Sequence, residues 1–241
     1  MVEIEIENAK YMAECVSAVA SLIEEANIEF SKEGLNMLAM DSSSIALADF
    51  NMPSKAFSKY EVENNEKLGV NFESLNKILS RAREGESMTL KKDKGDKLSI
   101  IFSQGKSSRR YEINSIELNS SAKKITPKVE AEFKVKKSNF EADLKDATMM
   151  SGFLNLSISK DGLKIRARGD LGELDNSCNP EIVSEKEVKG TFNLEYLNAM
   201  IKGCDKENDI RITLANNEPI SLSYNIGDAK LMFILAPYME E

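Results

Sequence analysis

The sequence predicts an α+β chain of two tandem, similar domains, each with antiparallel β-sheet and two helices on one sheet face. The strongest indication is internal repetition. Ser31-Lys32-Glu33-Gly34-Leu35 recurs as Ser159-Lys160-Asp161-Gly162-Leu163, and Asn71-Phe72-Glu73-Ser74-Leu75-Asn76 as Asn193-Leu194-Glu195-Tyr196-Leu197-Asn198. Both repeats lie about 120–130 positions apart and fall in the same order, the signature of a duplicated unit. Each half also passes through the same succession of period-two and helix-period stretches. Between the halves, residues 119–128 are polar and include Pro127, which reads as a linker. The expected boundaries are 1–118 for the N-terminal domain, 119–130 for the interdomain linker and 131–241 for the C-terminal domain.

Each element has its own local cause. Residues 3–7 and 131–135 alternate as short opening strands, and each leads into an amphipathic helix. Alternation then resumes at 28–30 and 35–40 in the first half, and at 154–158 and 163–167 in the second. Lys-Glu-Gly and Lys-Asp-Gly sit between these runs as hairpin turns, because glycine tolerates the positive φ of a tight turn. A second helix follows in each half, with Asn71 and Asn193 as N-caps and a glutamate two residues on, near the positive end of the helix dipole. Ser138-Asn139-Phe140-Glu141 has the spacing of a capping box at the start of the third helix. Further strands are expected at 87–90, 97–102, 210–214 and 220–224.

Composition narrows the chemistry. The 241 residues contain no histidine, which excludes Ser-His-Asp and Cys-His catalysis and histidine-ligated metals. Cys15, Cys178 and Cys204 form no C-x-x-C pair and read as reduced thiols of an intracellular protein, with no disulfide framework or four-cysteine zinc site. Neither G-x-G-x-x-G nor a P-loop occurs. No signal peptide opens the chain, and no apolar run is long enough for a membrane span. The formal net charge is -8, which argues against a broad basic surface gripping nucleic acid.

The helices carry two faces. The first buries Ala9, Met12, Val16, Val19 and Ile23 and turns Lys10, Glu14, Ser17 and Ser21 outward. The second buries Leu75, Ile78, Leu79 and Ala82, exposing Lys77, Ser80 and Arg81. The third buries Phe140, Leu144 and Ala147, and the fourth Leu194, Leu197 and Ile201; Glu141, Lys145, Glu195, Ala199 and Lys202 point away. These outer faces are either ordinary solvated surfaces or a lining along which duplex DNA passes.

Several stretches resemble the proliferating-cell-nuclear-antigen type of DNA sliding clamp. They are Met40-Asp41-Ser42-Ser43-Ser44-Ile45-Ala46-Leu47, Leu68-Gly69-Val70-Asn71-Phe72 running into Leu75-Asn76-Lys77-Ile78-Leu79, and Phe233-Ile234-Leu235-Ala236-Pro237. Asp161-Gly162-Leu163 and Gly169-Asp170-Leu171-Gly172 are similar to the second half of that family. The short tail Tyr238-Met239-Glu240-Glu241 is closer to archaeal members than to eukaryotic ones. The resemblance implies the clamp fold and a DNA polymerase processivity factor without catalytic activity, cofactor or metal. Three subunits would close as a homotrimer, or as a heterotrimer with paralogues, with helices inside and sheet outside. Double-stranded DNA would thread the hole without sequence readout. DNA polymerase, clamp loader, flap nuclease and DNA ligase would dock through short peptides, in replication and repair. A topological hold needs no tight phosphate contacts, so the acidic balance is compatible with it.

The same resemblance assigns residues. Lys10, Lys77, Arg81, Lys145 and Lys202 would face DNA, although Ala142 and Glu195 occupy positions often basic in the family, and Glu14 and Glu141 share those faces. That leaves the lining nearly neutral. Met40, Leu47, Ile125, Pro219, Ile234, Ala236 and Pro237 would form a partly exposed pocket for a partner peptide, with the backbone of 237–239 free to pair with it. Their alternative is plain core. Arg109, Arg110, Tyr111 and Ile113 on one subunit would meet the 173–179 strand of the next, including Asn176 and Cys178. Arg81 and Arg83 could face either DNA or Glu141, Asp143 and Asp146 at that boundary. Two other readings stay open: a subunit of a heteromeric or checkpoint-type clamp, and a metal-dependent hydrolase using carboxylates such as Asp41 or Asp170. Cys204 reads as a small buried hydrophobe rather than a nucleophile.

Overall fold

The computed structural model of the chain describes residues 1–92, 95–119, 122–182 and 186–239, with the side chains of 181 and 182 excepted. Ser120 and Ser121 of the expected linker, and Glu240 and Glu241 of the tail, lie outside the described residues. The first half runs β1 (Val2–Ile6), α1 (Ala9–Ala20), β2 (Glu25–Ser31), β3 (Gly34–Met40), β4 (Ala46–Pro53), β5 (Lys59–Val62), β6 (Glu66–Asn71), α2 (Phe72–Leu79), β7 (Ser87–Lys92), β8 (Lys97–Gln104) and β9 (Ser107–Asn114). The second repeats the plan as β10 (Ala131–Lys136), α3 (Lys137–Met150), β11 (Phe153–Ser159), β12 (Gly162–Gly169), β13 (Gly172–Cys178), β14 (Glu181–Ile182), β15 (Val188–Asn193), α4 (Leu194–Ile201), β16 (Asp209–Leu214), β17 (Ile220–Ile226) and β18 (Ala229–Leu235). None of the described helices is long and apolar enough to cross a membrane.

The chain forms two compact units. One comprises Met1–Ser42, Ala48–Lys123 and Asn225–Leu231, and the other Ser43–Leu47, Lys124–Tyr224 and Met232–Glu241. The first unit holds a five-stranded sheet in the order β5-β1-β7-β8-β9, together with β4, β3, β2 and β6 side by side. The second holds a four-stranded sheet in the order β13-β12-β11-β15, together with β14, β10, β16, β17 and β18. The pairings with a recorded register are all antiparallel, as expected of alternating half-buried strands. Helices α1 and α2 pack together in the first unit, and α3 and α4 in the second, where α3 also lies on β11, β12 and β13. Phe30, Phe72 and Phe102 anchor the first core, and Phe133, Phe140, Phe192 and Phe233 the second.

Local chemistry explains the helix starts. Asn71 accepts a hydrogen bond from the Ser74 N–H at 2.8 Å, and Asn193 from the Glu195 N–H at 2.8 Å, so both expected N-caps form. Asn8 does the same for α1, accepting from the N–H groups of Lys10 and Tyr11. The expected capping box of α3 does not form. The helix begins one residue before Ser138, its N-cap is Lys136, and no side chain caps it. Its first N–H groups donate instead to loop carbonyls, Lys137 to Asn208 at 2.9 Å and Ser138 to Lys206 at 3.2 Å, which removes the need for a hydroxyl cap. Helix α2 ends at Leu79, so Ala82 lies beyond it and Ile78 is only half-buried. The chain tightens there, with Arg81 N–H donating to Ile78 and Ala82 N–H to Leu79.

Two glycines have definite work. Gly34 takes φ +149° at the β2–β3 turn, where a Cβ would sit 2.2 Å from the Met52 carbonyl oxygen. Gly69 lets the chain after β9 approach the sheet edge. It forms an antiparallel bridge with Ile116, whose N–H donates to the Gly69 carbonyl at 3.0 Å, and a Cβ on Gly69 would lie 2.2 Å from the Ile116 carbonyl oxygen. Gly69→Ala should therefore force the two backbones apart and cost about 1–3 kcal/mol by analogy with overpacked sites. Chemical denaturation would measure it, and native stability in that variant would show that the close approach is not needed.

Candidate functional site

The residues singled out by the sequence fall into three sets. The first is the outward faces of the helices. Lys10, Lys77, Arg81, Lys145 and Lys202 are all exposed. Three of them are already engaged. Lys10 Nζ donates to Glu84 at 2.5 Å, Lys77 Nζ to Glu73 at 2.6 Å, and Lys145 Nζ pairs with Glu141 at 3.0 Å. Arg81 and Lys202 have no carboxylate within ion-pair distance among the described residues. Glu141 is not a free outward charge as the helical pattern suggests. It also accepts from the buried ammonium of Lys137 at 2.6 Å. These two lysine contacts, Lys137 first, hold the Glu141 carboxyl down at about 2.

The second surface is a pair of sheet edges. β9 ends the five-stranded sheet and β13 the four-stranded one. Along β9, Arg109, Tyr111 and Ile113 share a half-buried face while Arg110 and Glu112 point into solvent. Along β13, Leu174, Asn176 and Cys178 form the matching half-buried row. Arg109 is committed within its own unit. Its guanidinium donates to both Glu86 oxygens at 2.6 and 2.8 Å and to the Arg81 carbonyl at 3.2 Å, and lies 5.0 Å over the Phe102 ring. Burial pushes the Glu86 carboxyl up, but Arg109 and the Arg83 N–H outweigh it and the net shift is downward. Through these bonds the 81–86 turn, with Arg81 and Arg83, is fastened beside β9. Arg110 bonds Ser99 Oγ at 2.9 Å and Glu112 at 2.8 Å. On the other edge, Asn176 Nδ2 donates to Asp143 at 2.5 Å and ties β13 to α3. Burial raises the Asp143 carboxyl, with the Asn176 bond opposing it. Beside this contact lies an open cavity of about 360 Å³ lined by Lys134, Lys136, Phe140, Asp143, Cys178 and Pro180, which the sequence pattern did not reveal.

The third surface surrounds the C-terminal strand. Ile125 is 38% exposed, and Pro219, Ala236 and Pro237 are half-buried. Met40, in the first unit, is exposed. Leu47 and Ile234 are not partly exposed as expected; they are 1% and 3% exposed and belong to the core, their strands turning them inward. Ile45 is 39% exposed instead, and its carbonyl accepts from the Ala236 N–H at 2.9 Å. The tail is pinned again where Tyr238 N–H donates to the Thr191 carbonyl at 2.7 Å and the Tyr238 ring stacks on Phe153 at 4.0 Å. The resemblance picked out these positions, but not which way their side chains turn. Nothing in the sequence signalled the Tyr238–Phe153 stack.

Burial pushes Cys204 to about 11 and Cys15 to about 12, and raises Cys178 as well. Among the described residues, no group of three or more cysteines, aspartates or glutamates could hold a metal ion.

The chain is thus a duplicated α+β protein with a helix pair in each unit and long terminal strands β9 and β13. Comparison with known proteins narrows the class. Residues 1–122 match the family model for the proliferating cell nuclear antigen N-terminal domain, and residues 127–239 that for its C-terminal domain. The chain belongs to the proliferating cell nuclear antigen family. It is 33% identical over 251 aligned positions to the DNA polymerase sliding clamp of Thermococcus fumicolans, with 99% of both chains covered. The crystal structure of PCNA from Thermococcus kodakaraensis matches the fold with a TM-score of 0.92 at 21% identity, covering 99% of this chain and all of that one. PCNA of A. fulgidus, solved with the C-terminal region of FEN-1 bound, matches with a TM-score of 0.90 at 21% identity over the full length of both chains.

The Lys137–Glu141 contact makes a pH-dependent prediction. The folded carboxyl sits at about 2 against an ordinary 4.5, so its stabilisation is complete above about 4.5 and is lost as pH falls toward 2. Glu141→Gln should flatten that acid-side loss and, by leaving the buried Lys137 charge unmatched, lower stability at neutral pH by about 2 kcal/mol. Denaturation midpoints across this pH range would measure both.

Proposed function

We propose that this chain is the subunit of a DNA sliding clamp. Three copies close into a ring of six like domains around duplex DNA, and the ring tethers DNA polymerase and other replication and repair enzymes. Within each copy, 1–118 and 131–241 are the clamp domains and 119–130 the linker. The protein performs no chemistry of its own, and it works inside the cell, where its DNA is.

One observation carries this reading. Each half ends a sheet in a long strand, β9 in one and β13 in the other, and among the described residues each carries a half-buried row with a paired strand on one side only; β5 and β15 end the same sheets at their opposite sides. Unpaired edges of this kind invite another strand. Pairing β9 of one copy with β13 of the next is a head-to-tail contact, which generates a closed ring when the rotation closes. Tyr111 and Ile113 would be the apolar anchors, opposite Asn176 and Cys178. Lys10, Lys77, Arg81, Lys145 and Lys202 would line the hole. Short peptides of the polymerase, clamp loader, flap nuclease and ligase would dock beside Ile125, Pro219, Ala236 and Pro237, with Ile45 added to the set and Leu47 and Ile234 supporting it from the core.

Sedimentation should give a mass near three times 26.9 kDa, and Ile113→Asp should reduce it to that of one subunit. A monomer in the native chain would overturn the ring, and a mass of three subunits reached only with a paralogue present would make it heteromeric. Separately, Ile125→Glu should abolish most polymerase stimulation and peptide binding while the trimer persists. Unchanged affinity for a glutamine- and aromatic-containing peptide in that variant would remove Ile125 from the groove.

A further inference from the structure

We propose that Glu73, Glu84 and Glu141 are positioning residues that weaken the ring's drag on DNA, by holding Lys77, Lys10 and Lys145 in intramolecular pairs and leaving Arg81 and Lys202, which have no ion-pair partner among the described residues, to meet phosphate. This rests on the lining reading above.

The pairs are built differently, and each favours the paired state. Glu73 and Lys77 lie four residues apart on α2, the glutamate toward the N-terminus, which is the better orientation. Glu84 reaches Lys10 from the turn after α2, 74 positions away in the chain. Glu141 is anchored by the buried Lys137 and offers its other oxygen to Lys145. Hydrogen bonding to the lysines lowers the Glu73 and Glu84 carboxyls, and holds Glu141 at about 2, so all three stay ionised at any working pH. The Lys10 and Lys77 pairs lie in solvent on both sides, so they exchange readily.

A phosphate nearing one of these lysines meets a cation already in contact with a carboxylate, and that carboxylate repels it. When the phosphate leaves, the carboxylate takes the lysine back. The ammonium passes between the anionic oxygens of a carboxylate and of a phosphate and is never left bare, which lowers the cost of moving from one phosphate to the next. A lining of free lysines would release counterions at every contact and hold the duplex in place.

The test is binding of the full-length protein to a ~40-bp fluorescent duplex by anisotropy, from ~50 to ~200 mM salt, where each added phosphate contact steepens the log–log slope by about 0.9. The Glu73→Gln/Glu84→Gln double variant avoids disturbing the buried Lys137. It should bind about five- to ten-fold tighter at the lowest salt, with a slope steeper by about one to two. Glu29→Gln/Glu132→Gln makes the same change in charge on strands β2 and β10, at pairs with Lys67 of β6 and Arg211 of β16, and should change neither quantity. Native affinity and slope in the double variant would overturn the proposal, as would an equal effect from the strand pair, which would mean bulk charge alone. Arg81→Ala/Lys202→Ala separates the two levels. If it weakens binding while the glutamate variant is inert, the lining reading stands and the proposal falls. If neither changes binding, both fall.

Discussion

The constraint on which the rest of the molecule depends is the open sheet edge. An antiparallel sheet that ends in a full-length strand presents a row of N–H and C=O groups that water satisfies only until another strand arrives. β9 has eight residues registered against β8, from Lys97 opposite Asn114 to Gln104 opposite Ser107, so its outer edge is long and its geometry fixed. β13 is registered against β12 along its entire length. Both edges are braced from behind. The Arg109–Glu86 bidentate pair ties β9 to the turn after α2, and Asn176–Asp143 ties β13 to α3. These braces also link each edge to the helix layer, so a strand pairing between copies would fix where the helices of both copies lie.

That coupling bears on the charge balance. A protein of net charge -8 is a poor adhesive for a polyanion, and the helix faces hold Lys10, Lys77 and Lys145 in pairs with nearby carboxylates. In the proposed reading the two facts agree, because a ring that encloses the duplex needs only that phosphates be tolerated. The family's signature is thus carried by edges, helix polarity and duplication rather than by a basic stripe. This is why neither composition nor a charge pattern alone points to DNA.

Much of the fold was legible because its causes are local. The repeated Asn-x-Glu starts gave α2 and α4, and two ordered repeats gave the duplication. The α3 start was misread because its N–H groups are satisfied by the 206–208 loop, some seventy positions away, and a capping box spacing cannot report that. Leu47 and Ile234 were expected in a partly exposed groove on the family resemblance; the alternative, plain core, is the one their burial matches. The pairing of Lys77 with Glu73 is visible as i,i+4 spacing, whereas Glu84 meets Lys10 only after the turn at Gly85 has formed. Arg109 was assigned to the subunit-contact strand by resemblance; its intramolecular contacts with Glu86 and Phe102 depend on the 81–86 turn and β8 packing beside β9, which no local pattern reports.

The C-terminal tail shows how an edge can be prepared for a partner without inviting indiscriminate pairing. Residues whose N–H groups bond inward alternate along it: Ala236 donates to Ile45 and Tyr238 to Thr191. By the period of an extended chain, Pro237 and Met239 then turn their backbones the other way. Pro237 has no N–H, so the outward side offers an acceptor at 237 and a donor only at 239. Such an edge cannot template a regular ladder with another copy of itself, since every second donor is missing. It can accept a short extended peptide in one register, beside a tail already held down by the Tyr238–Phe153 stack. Preorganising the tail in this way removes part of the ordering cost of binding. In the proposed reading, the same local chemistry would discourage pairing of this edge with another copy while leaving it open to a partner's short peptide.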